Sequence, residues 1–249
     1  MAVLIFIIGT ILGSFYLVIS TRLPKGEDAI FSRSKCDSCG KILKWYNLIP
    51  IFSYVFQKGK CSCCHKKISS ENIWAELATG FLFLFTYLWF NNGYNFFVGL
   101  IICSLLIIIF ISDFKYMIIL DSPLIISSIL IIILKLIFIG FKDTITSILS
   151  GVALFIVMLV LLDIGKILFK KEALGGGDIK FSFLIGLILN FPIGLVTIIL
   201  SSFLALPYAV ASVIIKKNNE LPYGPFLAGA LFIVFFNYDK FLDLFNFLI

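Results

Sequence analysis

Charge is scarce in this chain: only 14% of its 249 residues are Asp, Glu, Lys or Arg, against about 25% in an ordinary soluble domain. Histidine is scarcer still, with His65 alone, and it stands among cysteines, so no Ser-His-Asp set can be assembled. No long internal repeat and no low-complexity linker breaks the chain. No glycine-rich nucleotide loop follows a strand-like segment. The N-terminus has no basic stretch before the apolar run Val3–Ile8 and no clear small-x-small cleavage site, and Arg22 and Lys25 follow it. These absences argue against a cleaved signal peptide and for a retained first helix, its N-terminus outside.

What is abundant is apolar surface. The chain is 61% hydrophobic with a mean hydropathy of +1.10, which makes it an all-α polytopic membrane protein. Apolar runs predict about eight transmembrane helices, near 2–20, 74–90, 95–112, 117–139, 144–169, 179–191, 193–215 and 223–237. The boundary between the sixth and seventh falls at Asn190-Phe191-Pro192. Segment 20–73 holds ten of the twenty Lys and Arg residues. With eight spans, seventeen basic residues fall on that side against three on the other, which makes it the cytoplasmic side. The net charge of +6 therefore reflects membrane topology and does not point to nucleic acid. Three regions follow: a first helix (1–20), a small cytoplasmic loop domain (21–73) and a membrane domain (74–249).

The loop domain carries five of the six cysteines. Cys36-x2-Cys39 and Cys61-x2-Cys64 are paired knuckles, each able to present two thiolates to one tetrahedral zinc ion. Cytoplasmic placement argues against permanent disulfides. Cys63 and His65 are alternative fourth ligands; the tight Cys61-Ser62-Cys63 spacing favours Cys64. A four-cysteine site is coordinatively closed, so this zinc is expected to be structural. Cys103, inside the third span, is expected to be a packing residue.

Acids are few in the membrane region, and ionisable residues there are functional candidates by default. Asp113 ends the third span, and Asp178 opens the sixth after Gly175-Gly176-Gly177. Both are predicted at the cytoplasmic face. Two carboxylates brought together cannot easily both ionise, so one can act as general base on water and the other as general acid. The plainer reading makes them interfacial charges beside Lys115 and Lys180. Three glycines before Asp178 argue against it, because an ordinary helix start does not need them. Asp121, eight residues after Asp113, is expected near the same face but deeper, with a helix break near Pro123. Glu76 is a candidate for binding a substrate or cofactor amine, or for pairing with Lys66 or Lys67. Pro222-Tyr223-Gly224-Pro225-Phe226 reads as a rigid turn entering the last span.

Together these stretches resemble the type IV prepilin leader peptidases, bifunctional membrane aspartic proteases of the GxGD type. The resemblance is near full length. It runs through Gly13-Ser14-Phe15 and Arg22-Leu23-Pro24, the four cysteines with Trp45-Tyr46-x3-Pro50, Ser53-Tyr54 and Gly59-Lys60, and Glu76-Leu77-x-Thr79-Gly80. It continues through Asp113-x7-Asp121, Leu174 to Lys180, and Pro222 to Phe226. The family usually has Pro before the second Asp of its D-x7-D element, where this chain has Leu120.

The resemblance implies that Asp113 and Asp178 are the catalytic pair. Gly175, Gly176, Gly177, Lys180, Asp121 and Glu76 are then supporting or substrate-binding residues. Cys36, Cys39, Cys61 and Cys64 are implied as the metal site. The implied substrates are prepilins or pseudopilins, cut at the cytoplasmic face of the inner membrane after a basic leader, between Gly and a Phe-like residue. The new N-terminus is then methylated from S-adenosylmethionine. A peptidase without methyltransferase activity is the alternative within the family, and the intact four-cysteine loop speaks against it. A transporter is disfavoured, because the acids lie at one face and no repeated halves are evident. The expected partners are these substrates and membrane lipid, with no nucleic acid.

Overall fold

The computed structural model describes residues 1–29, 32–35, 39–44, 48–169, 175–216 and 221–248. Cys36, Trp45, Tyr46 and Leu174, each named above, lie outside them. The described residues form ten α-helices and no strand. The helices are α1 (Ala2–Arg22), α2 (Phe52–Phe56), α3 (Glu71–Phe90), α4 (Tyr94–Tyr116), α5 (Asp121–Phe138), α6 (Phe141–Phe169), α7 (Gly176–Leu189), α8 (Phe191–Lys216), α9 (Gly224–Phe236) and α10 (Tyr238–Leu248).

Each apolar run of the sequence has its helix, but eight full spans are not what is found. Six of the described helices, α1, α3, α4, α5, α6 and α8, are long and apolar enough to cross a bilayer. α7 has 14 residues, about 21 Å at 1.5 Å per residue, short of the roughly 30 Å hydrocarbon core. α9 and α10 meet at 87° and count as one span only if the bent pair is taken together.

The chain divides into two compact units, Met1–Asn92 and Gly93–Ile249. In the first, α1 packs along α3. Gly9 and Gly13, one helical turn apart, let the backbones meet: a Cβ on Gly9 would lie 2.8 Å from Gly80 Cα, and one on Gly13 would lie 2.6 Å from the Ala75 carbonyl. Small residues at this spacing replace the hydrophobic drive that lipid cannot supply.

In the second unit, α7 is the central helix, packed against α5, α6, α8 and α9. From Phe181 to Leu189 it is apolar but for Ser182, as a helix segment enclosed by others must be. Phe181, Leu184, Ile185 and Leu187 are wholly buried. Its contact with α6 is backbone on backbone, since a Cβ on Gly186 would sit 2.6 Å from the Ser150 carbonyl. The short length of α7 follows from this enclosure, because helices and not lipid surround it.

Lys135, in the last turn of α5, is buried. Its ammonium donates to Ser147 Oγ of α6 at 2.6 Å, a polar link of the kind that joins membrane helices.

Candidate active site

α4 ends where Met117 adopts left-handed backbone (φ 53°) and its N–H donates to the Asp113 carbonyl at 2.9 Å. Asp113 therefore lies in the last turn of α4. Three residues on, Leu120 is extended (φ −75°, ψ 128°) and α5 starts at Asp121. Leu120 has a φ within proline's range, so the family's proline is conformationally replaceable here. The break falls at Met117–Leu120, ahead of Pro123, which is accommodated in the first turn of α5. Asp121 is accordingly not deeper on one continuous helix face. It opens a separate helix and is half exposed, and both its oxygens lie 2.7 Å from Lys180 Nζ of α7. Lys180 is thus spent on Asp121 and does not neighbour Asp178 as a counter-ion.

Asp178 is the third residue of α7, whose N-terminal cap is Gly175. The Gly175 N–H donates to the Asp178 carboxylate, a reach-back contact of the capping-box type. Oδ2 lies on that side, 3.1 Å from where a Cβ on Gly175 would be. Oδ1 is buried and has no hydrogen-bond partner among the described residues. The three glycines separate by role. Gly177 abuts Ile119, whose Cβ would be 2.6 Å from an added Cβ, whereas a Cβ on Gly176 would meet nothing within 4 Å among the described residues. Gly177 permits packing, and Gly176 leaves open space above the carboxylate.

In the Pro222–Phe226 turn, the Tyr223 hydroxyl bonds to Ser201 Oγ and, at 3.2 Å, to Ser202 Oγ of α8. The Gly224 N–H, at the start of α9, donates to Asp113 Oδ2 at 2.9 Å. An added Cβ on Gly224 would lie 2.8 Å from Ile119, 2.9 Å from Ile109 and 3.0 Å from Asp113 Oδ2. Pro225 occupies the first turn of α9, where its missing N–H costs nothing. Phe226 closes an aromatic triangle with Phe114 of α4 and Tyr208 of α8, ring centroids 5.7–6.5 Å apart. The motif fastens α4, α8 and α9 together beside Asp113. Sequence reasoning found the motif but missed Ser201, Tyr208 and Phe114, because isolated residues in apolar helices carry no signal of their own.

Asp113 and Asp178, 5% and 7% exposed, line one cavity of about 250 Å³ with Met117, Gly176, Leu221 and Tyr223. They are near enough for the charge of one to act on the other. The positive end of α9 faces Asp113 and that of α7 faces Asp178, so two helix N-termini converge on the pair. An unpartnered carboxylate oxygen beside an open cavity can hold or accept a proton from a bound molecule, and a second carboxylate held by a backbone N–H can orient water.

In the first unit, Cys39, Cys61 and Cys64 bring their sulfurs within 4.8 Å of one another. Isolated antiparallel bridges Lys35–Ile42 and Lys60–Lys67 bracket the two knuckles. Four thiolates around zinc at about 2.3 Å stand roughly 3.8 Å apart, so the cluster fits such an ion. Cys64 belongs to the cluster, and Cys63 is exposed outside it. Cys103 is buried in α4. Glu76 is buried in α3, where Oε2 accepts the Ile51 N–H at 2.7 Å and Ser14 of α1 also bonds to it. No ion pair with Lys66 or Lys67 forms. Its partner Ile51 is strained (φ 62°, ψ −55°) in a three-residue turn closed by Phe52 N–H to the Pro50 carbonyl at 2.6 Å. Such a turn is rare for a β-branched residue.

Residues 7–90 match the model of the bacterial peptidase A24 N-terminal domain, and residues 100–210 match that of the type IV leader peptidase family. A prepilin leader peptidase/N-methyltransferase of Bacillus subtilis is 31% identical over 243 residues, covering 96% of each chain. One of Vibrio cholerae is 31% identical over 251 residues, covering 94% of this chain and 96% of its own. Another of Neisseria gonorrhoeae is 29% identical over 92% of this chain and 88% of its own. No solved structure matches.

Proposed function

The chain belongs to the type IV leader peptidase family, and we propose that Asp113 and Asp178 are the pair with which it cleaves prepilins. Its two activities are removal of the prepilin leader and N-methylation of the shortened chain. The observation that carries the assignment is that two membrane acids far apart in sequence line one cavity, one held by the Gly224 N–H and the other with Oδ1 unpartnered.

In this reading a prepilin segment lies extended along Gly175-Gly176-Gly177, and its scissile carbonyl approaches the pair past the open face of Gly176. One carboxylate takes a proton from water as the water attacks the carbonyl carbon. The other carboxyl gives its proton to the carbonyl oxygen; as the tetrahedral intermediate collapses it takes that proton back, and the first carboxyl gives the water-derived proton to the leaving amine. Lys180 and Asp121 tie α7 to α5 across the exposed rim and hold the glycine segment in place. Methylation consumes S-adenosylmethionine as co-substrate.

Cys39, Cys61 and Cys64, with Cys36, are the residues that would hold a structural zinc ion. Bound there, the ion would tie the two knuckles together and stabilise a loop region too small for a large core. Glu76 is a positioning residue for the Pro50–Phe52 turn. The excess of Lys and Arg in 20–73 supports a cytoplasmic site in the inner membrane. Pilus, secretion and pseudopilin substrates share the chemistry the site needs. Nucleic acid is not among the partners, and lipid surrounds the spans.

The test is a reconstituted reaction with a peptide bearing a basic leader and a Gly-Phe junction, together with labelled S-adenosylmethionine. Cleavage with label on the new N-terminus is expected. Cleavage without label would identify a peptidase alone.

A further inference from the structure

α2 is a five-residue helix with two unlike faces. Tyr54 turns inward, its hydroxyl 3.0 Å from where a Cβ on Gly59 would be, at the turn leading into the second cysteine knuckle. Phe52, Val55 and Phe56 share the opposite face, at the i, i+3, i+4 spacing that aligns side chains. They are 65%, 62% and 82% exposed. Among the described residues nothing covers this face. The helix is nonetheless fixed, because the strained Ile51 at its start is bonded to Glu76 in α3. That bond sets α2 beside the second turn of α3, a spanning helix that begins at Glu71. Trp74, in the first turn of α3, is 68% exposed. Aromatic residues at the ends of spans mark the headgroup level.

Charge narrows the choice of occupant. Residues 38–70 contain no Asp or Glu and six Lys. Lys58 and Lys60, immediately after α2, and Lys66 and Lys67 beyond it are all exposed. A basic leader peptide is repelled by such a surface. An anionic headgroup layer is attracted to it, and its acyl boundary accepts the three apolar side chains.

We propose that α2 is a membrane-surface anchor. Phe52, Val55 and Phe56 enter the headgroup–acyl boundary of an anionic bilayer, and Lys58 and Lys60 lie among its phosphates. The strained Pro50–Ile51–Phe52 turn, clamped by Glu76, gives the helix its depth and tilt. The cysteine knuckle that follows is thereby seated on the membrane surface.

The test uses the full chain in nanodiscs of phosphatidylglycerol or of phosphatidylcholine. Trp45, Trp74 and Trp89 are changed to Phe and one reporter is introduced, Phe56→Trp or Lys60→Trp. Lipids brominated near the glycerol are expected to quench the Phe56→Trp emission more than that of Lys60→Trp, with greater loss in phosphatidylglycerol. Adding Lys58→Glu and Lys60→Glu to the Phe56→Trp chain is expected to reduce that loss to the phosphatidylcholine level. In the unaltered chain, amide exchange over residues 52–56 is expected to slow on transfer from detergent to phosphatidylglycerol discs. Unquenched Phe56→Trp emission that aqueous iodide still quenches, with unchanged amide exchange, would overturn the proposal. So would protection of residues 52–56 that appears only with a second copy of the chain or with added nucleic acid. Equal quenching in both lipids would overturn the role given to the lysines.

Discussion

At the scale of single residues, the site depends on atoms that are missing. Gly224 has no Cβ because Ile109, Ile119 and the Asp113 carboxylate occupy its place. Gly224→Ala is expected to destabilise the chain by about 1–3 kcal/mol through overpacking and to lower kcat by displacing the N–H that holds Asp113. Tyr223→Phe removes the hydroxyl that bonds to Ser201 and Ser202. Ser201 keeps its bond to the Ile198 carbonyl, so the expected loss in stability is about 1 kcal/mol. If the hydroxyl positions the turn, kcat falls while KM holds; a purely structural role would shift the melting temperature and leave kcat unchanged. That Asp113 and Asp178 stand out as candidates was legible in the sequence, because acids in an apolar chain are conspicuous; the structure lines one cavity with both. The fates of Lys180 and Glu76 were not legible. A lysine two residues from Asp178 in sequence points along another helix face and meets Asp121 across 59 positions, and no local pattern encodes that meeting.

At the scale of elements, the Gly175–Gly177 start of α7 divides its work between packing and access. Gly177→Ala forces a Cβ onto Ile119 and is expected to lower both the melting temperature and cleavage. Gly176→Ala adds a methyl to open space and is expected to leave the melting temperature unchanged while raising KM for a peptide that must approach closely. Equal effects of the two would contradict the division. Eight of the ten described helices were readable from apolar runs, six of them as spans; the status of α7 and of the bent α9–α10 pair was not. Hydropathy does not distinguish a helix enclosed by protein from one facing lipid, so α7 reads as a span although it has 14 residues and is largely buried among other helices. The α4–α5 break lay ahead of Pro123 because the left-handed Met117 and extended Leu120 make it. Neither residue type announces that conformation.

At the scale of the whole molecule, two compact units carry two kinds of chemistry: thiols in the first and paired carboxylates in the second. If zinc closes the knuckles, the purified protein carries one zinc per chain. Chelation is then expected to make at least three further thiols titratable, those of Cys39, Cys61 and Cys64, and to lower the melting temperature, since structural metal binding is folding free energy. Unchanged thiol reactivity after chelation would contradict a metal role. The C-x2-C spacing made this cluster foreseeable. The Gly9–Gly13 seam of α1 against α3 was equally present in the sequence, but in a chain so rich in apolar residues two glycines in a helix do not show which neighbour they approach.

The central claim is that Asp113 and Asp178 act as a pair. Its most direct measurement is prepilin-peptide cleavage in detergent by the unaltered chain, Asp113→Asn and Asp178→Asn. Each variant should keep its fold by thermal melting, because Asn preserves the shape of the side chain. Each is expected to lose cleavage by about 10²- to 10⁴-fold, as expected for removal of a general acid or base. Cleavage at the unaltered rate by either folded variant would contradict the pair.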